Sequence, residues 1–176
     1  MSIEKAFLNS YLKRIVYYKK LGDETFEQLD ELDFHFQPNE ESNSIAIIIQ
    51  HLAGNMLSRF TDFLTEDGEK IWRNRDIEFE QQQLSKEQLL QKWADGWACF
   101  LNTVQSLTAI DLEKTITIRS EQLTVVDALN RQLAHYPYHV GQIVYLGRMI
   151  KNKAWKNLSI SKGASNQFNE QMKNKH

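Results

Sequence analysis

His135 and His139 stand four residues apart in "LAHYPYHVGQ". On a helix this spacing puts both imidazoles on one face, with Cβ atoms about 5–6 Å apart. Two imidazoles so placed can share a divalent metal ion, or they can be two partly buried side chains with no ligand. A third histidine, His51, lies in "IIIQHLAGNMLSRF". Its neighbours Ile48 and Leu52 belong to or border an apolar helical stripe, where an unpartnered imidazole costs desolvation free energy. Metal coordination would satisfy it. His35 in "LDFHFQPNEE" and the C-terminal His176 read as solvated surface groups. Three neutral nitrogen ligands leave a dication undercompensated and with open positions, the pattern of catalytic rather than structural zinc. Such an ion can lower the pKa of a bound water or thiol toward neutrality. A metal that only ties two helices together is the plainer alternative.

Helical spacing selects the neighbours of these histidines. Arg131 is one turn before His135 and Asn55 one turn after His51. Arg131 either orients a substrate carboxylate or pairs with Asp127 four residues back. Asn55 and Gln142 are candidate hydrogen-bond partners behind the ligands. Gly141 would let a neighbouring helix approach closely. No carboxylate is placed as a general base, and Cys99 lies in an apolar helix as a core residue. The stretch "EKIWRNRDIEF" holds Trp72, Arg73 and Arg75. It reads as a charged surface loop, with an anion-binding lid as the alternative. Pro137 sits between the two helix-borne histidines. It removes one backbone N–H and crowds the Leu133 carbonyl, at a cost of about 3 kcal/mol in an exposed helix interior. A kink there would alter the relative aim of the imidazoles.

Four segments have the apolar periodicity that positions such a site. The first spans about Ile3 to Leu32, with Phe7, Tyr11, Ile15, Tyr18 and Leu21 on one face; Gly22 is a weak point and Asp23 a cap for a restart. The second runs from about Ser44 to Leu64, capped by Asn43 or Ser44, with Ile45, Ile49, Leu52, Met56 and Phe63 aligned. The third runs from about Ser85 to Leu107, opened by a Ser85–Gln88 capping box and striped by Leu89, Trp93, Trp97, Phe100 and Val104. The fourth runs from Thr124, with Asp127 completing a second box, to about Lys151. "KTITIRSEQLTV" between the last two predicts a short hairpin or extended loop. Residues 65–84 are charged and aperiodic, a long loop of the kind that often carries function. These elements predict an all-α four-helix bundle over residues 1–156. A polar tail follows at 157–176, partly docked through Phe168 and Met172.

Composition narrows the function classes. The chain has 176 residues and a net charge of −2, with no basic excess for nucleic acid. Two prolines and seven glycines in the whole chain favour long helices. No apolar run reaches about 18 residues, so no membrane span is expected. The N-terminal stretch has no signal-peptide core, and a lone cysteine fits a reducing cytoplasm.

"HLAGN" followed by "LNRQLAHYPYHVGQIVYLGRM" resembles the DinB-like family of small bacterial four-helix-bundle proteins. His51, His135, His139, Gly141 and Gln142 match its pattern of one histidine on the second helix and H-x-x-x-H-x-G-Q on the fourth. The resemblance extends over nearly the whole chain, while Pro137 departs from it. It implies one divalent ion on His51, His135 and His139, zinc or nickel before iron or manganese. It also implies a homodimer, which the high aromatic content favours. Some relatives are S-transferases using a low-molecular-weight thiol such as bacillithiol, and many have no established activity. The implied function is a metal-dependent S-transferase or hydrolase. A non-catalytic metal- or ligand-binding bundle with a stress-related role is the alternative.

Overall fold

The computed structural model describes residues 2–174. The chain is mostly helical, with one two-stranded antiparallel sheet among the described residues. Helix α1 is Ile3–Phe26, α2 is the single turn Glu31–Phe34, α3 is Ile45–Phe60 and α4 is Lys86–Ser106. Strands β1, Thr115–Ile118, and β2, Glu121–Thr124, form the hairpin; α5, Val125–Lys151, and the short α6, Ser165–Lys173, complete the chain. No helix is long and apolar enough to cross a membrane.

The helix starts follow from side-chain capping. Ser44, Ser85 and Thr124 each accept from the backbone N–H three residues on, relieving one of the first-turn donors that lack a partner. The expected restart at Asp23 does not occur. Helix α1 runs through Gly22, against which the Trp93 ring packs too closely for any Cβ. Asp23 accepts instead from Trp93 Nε1 at 2.7 Å and from Lys19 at 2.7 Å. The restart falls at Asp30, where Asp30 and Asp33 form the capping box of α2.

The two polar turn residues of the hairpin, Arg119 and Ser120, both have positive φ, 54° and 63°. A two-residue turn needs this handedness to follow the strand twist, and glycine or asparagine usually supplies it. Here the Asp67 carboxylate accepts both backbone N–H groups at 2.9 Å. Gly68 N also donates to Thr117 O at 2.8 Å, so residues 67–69 are tied to the hairpin.

Helix α3 packs on α4, α4 on α1, α1 on α5 and α5 on α3, closing a ring of four long helices. Their inward residues form one core, with Ile15, Ile49, Leu52, Met56, Trp97, Phe100 and Ile143 fully enclosed. Tyr136 is enclosed among Trp97 and Phe100, at ring separations of 6.0 and 5.1 Å. Beyond the paired hydrogen bonds between Gln28 and the Lys156 backbone, α6 lies on the surface. Phe168 and Met172 are each 39% exposed there. His176 lies outside the described residues.

Candidate metal centre

Two polar stripes face each other where α3 and α5 meet. On α3, His51, Asn55 and Arg59 recur every four residues, and all three are buried. On α5, Arg131, His135 and His139 recur at the same interval. The spacing that lines up the apolar face of each helix also lines up these groups one above the other.

The three histidines converge by their Nε2 atoms. Nε2 of His135 lies 3.2 Å from Nε2 of His51 and 3.1 Å from Nε2 of His139. The three side chains offer ligand atoms all within 4.8 Å of one another, and together they can hold a metal ion. Helix α5 continues unbroken across Pro137, which leaves the two imidazoles aimed at one point.

With His51 neutral, protons satisfy this arrangement only in part. His51 Nδ1 is 3.0 Å from Glu78 Oε2, and an ionised carboxylate only accepts, so Nδ1 carries the hydrogen. A neutral His51 then presents a bare lone pair at Nε2. One hydrogen on His135 Nε2 can point at one neighbour's lone pair, or be shared by both as a weaker three-centre bond. With the hydrogen on His139 instead, the lone pairs of His135 and His51 meet head on. A cation at the meeting point satisfies all three. Nitrogens bound at about 2.0–2.1 Å to one tetrahedral ion sit about 3.3–3.4 Å apart, close to both short contacts. The donor set thus fits a divalent metal.

Electrostatics keep His135 and His139 neutral. Burial, with the neighbouring histidines and Arg131 and Arg73, lowers the pKa of His135 to about 3. Burial and His51 lower that of His139 to about 4. Gln142 acts beside His139 in the opposite sense, yet His139 Nδ1 has no hydrogen bond of good geometry.

The aperiodic stretch 65–84 supplies what the helices lack. Within it Ile77–Phe79 forms a 3-10 turn packed on α3, which delivers Glu78 to His51. Arg73 donates to both Glu78 oxygens, from Nε at 2.7 Å and Nη2 at 2.9 Å. Burial pushes the Glu78 carboxyl up, but the hydrogen bonds from Arg73 and His51 outweigh it and hold the group below its usual range. Gly54, one turn beyond His51, makes room for this carboxylate; a Cβ there would overlap Glu78. Phe79 lies against the His51 ring at 4.8 Å, and Arg75 covers Phe79 at 5.0 Å.

Several expectations are corrected here. Arg73 is not a surface residue: its side chain is 2% exposed and locked to Glu78. The absence of a free general base stands: Glu78, the carboxylate at the centre, is engaged on both oxygens by His51 and Arg73. Arg131 reaches Glu121 at 3.8 Å rather than Asp127. Gly141 has no neighbour within 4 Å of a built Cβ, so no helix approaches it. His35 is half-buried with Nε2 2.9 Å from Leu84 O, which gives it a structural partner in place of solvent. Asn55 accepts from the buried Tyr136 hydroxyl at 3.1 Å, linking the centre to the aromatic core. Cys99 is half-buried, with Sγ 3.7 Å from Thr61 Oγ1.

The histidines line a cavity of about 440 Å³ whose walls also include Arg73, Arg75, Arg131 and Gln132. Comparison with curated proteins returns no match. Residues 2–164 match the family described as a protein of unknown function (DUF1572), and the chain belongs to that family.

Proposed function

We propose that the protein is a divalent-metal-dependent enzyme of the DinB-like superfamily, a four-helix bundle acting as a thiol S-transferase or a hydrolase. The observation that carries this reading is the convergence of three imidazoles on the wall of a cavity. The closed ring of α1, α5, α3 and α4 supports the bundle architecture. Zinc and nickel suit an all-imidazole donor set. When bound, the ion supplies Lewis-acid polarisation and lowers the pKa of a water or thiol placed beside it.

The chain's own residues do the rest. Glu78 holds the hydrogen on His51 Nδ1 and so keeps Nε2 free to bind. Arg73 keeps Glu78 ionised and fixed. Phe79 and Tyr136 shield the ligand rings from water on two sides. The cavity admits a small molecule to the remaining side.

Metal-loaded protein assayed for conjugation of a low-molecular-weight thiol and for hydrolysis of simple esters and amides tests the reading. Turnover in one class, lost in His135→Ala, is the expected result. Stoichiometric metal without turnover in either class would return the centre to a binding role.

A further inference from the structure

Five arginines line the cavity, and none of the lining residues carries a carboxylate. The acidic partners of these arginines lie behind or beside them. Glu69 takes Arg59 and Arg119 and lies 4.0 Å from Arg73 Nη1, beyond hydrogen-bond reach; Glu78 takes Arg73, and Glu121 reaches Arg131 only at 3.8 Å. Three carboxylates against five guanidinium groups leave an excess of two positive charges beside the histidines.

Arg75 makes no ion pair among the described residues and is exposed over Phe79. Arg131 is 47% exposed, and its distant partner Glu121 is 65% exposed, so that pair is solvent-screened and exchangeable. Three buried polar atoms of the lining residues also lack hydrogen-bond partners. They are His139 Nδ1, Arg73 Nη1, a donor, and Gln132 Oε1, an acceptor on a residue 2% exposed. An unsatisfied buried polar group costs about 1–3 kcal/mol. Two of opposite type on one cavity wall are explained by a ligand that has both an oxyanion and a hydrogen-bond donor.

We infer that the cavity binds a small anionic metabolite, its phosphate or carboxylate held by Arg75 and Arg131 with Arg73 Nη1. A donor group of the same molecule meets Gln132. Planar guanidinium forks match either oxyanion. The volume suits a molecule of metabolite size. This names the substrate class of the centre proposed above and rests on that reading only for what happens after binding.

The test is calorimetric titration of the full-length, metal-free protein with inorganic phosphate and with succinate at low ionic strength. The parent is compared with Arg75→Gln, Arg131→Gln and the remote control Lys13→Gln, each checked for helix content by circular dichroism. Each arginine variant should bind about tenfold more weakly, as loss of a charge-assisted hydrogen bond predicts. Lys13→Gln should keep the parent affinity. Tighter binding of phosphate assigns a phosphate ester, and tighter binding of succinate a carboxylate. Parent-like binding by both arginine variants, or no binding by the parent at millimolar anion, overturns the inference. Phosphate bound only to metal-loaded protein and indifferent to both arginines would also overturn it, while leaving the metal centre intact. Arginine-dependent binding in a protein that takes up no metal would support it and refute the metal centre instead.

Discussion

Helix α3 has two buried faces, and they are held in different ways. Ile45, Ile49, Leu52 and Met56 enter the core, where contact with α4 and the aromatic cluster depends on shape and volume. His51, Asn55 and Arg59 are buried almost as deeply, but each is satisfied by a named partner: Glu78, Tyr136, and Glu69 with the Gly68 carbonyl. The apolar face tolerates swaps that conserve volume. The polar face does not, because removing one partner leaves the other buried and unpaired. Deep burial of helix residues thus serves stability on one side and ligand geometry on the other.

Substitutions can separate the two. The largest effect on folding is expected at the core face. Phe100→Ala should cost about 3–5 kcal/mol in denaturant unfolding while leaving metal stoichiometry in the folded fraction unchanged. On the polar face the order reverses. Glu78→Gln should weaken metal binding by about 10–100-fold, as loss of a ligand's hydrogen-bond partner does. Its cost in stability should be smaller, about 1–3 kcal/mol. Gly54→Ala should share the metal phenotype, because its Cβ displaces the same carboxylate. Metal affinity equal to the parent's in both variants would remove Glu78 from the centre.

Acid should distinguish the faces as well. In the unfolded chain His135 and His139 take up protons near pH 6.5, whereas burial holds them to about 3 and about 4 in the metal-free fold. Between those limits the unfolded state binds more protons. Stability present above about pH 6.5 is therefore lost as pH falls toward about 3, and a His135→Gln protein should show a shallower acid limb. The smallest effect is expected at the cavity rim, where Arg131→Gln should change stability by less than about 0.5 kcal/mol.

The elements of the fold were legible because their signals are local. Ser44, Ser85 and Thr124 announce helix starts, and the period of Leu89, Trp93, Trp97 and Phe100 announces a buried stripe. The histidines were legible for the same reason, each lying on a periodic segment. Glu78 and Arg73 were not, since nothing in an aperiodic stretch says which charge turns inward. Their burial is set by contact with α3, far away in sequence. One signal was present: Gly54, a glycine inside an apolar helix one turn from His51, marks a close approach at some cost to helix stability. Gln132 gave no signal, because a glutamine on a helix is ordinarily solvated.

The central claim is that His51, His135 and His139 act together as one ligand set. Calorimetric titration of zinc and of nickel into the parent, the three single alanine variants and His35→Ala tests it most directly. The parent should bind one ion per chain, each of the three variants should lose about a hundredfold or more in affinity, and His35→Ala should match the parent. If His51→Ala binds metal as tightly as the parent, the set is wrong and only a pair on α5 remains.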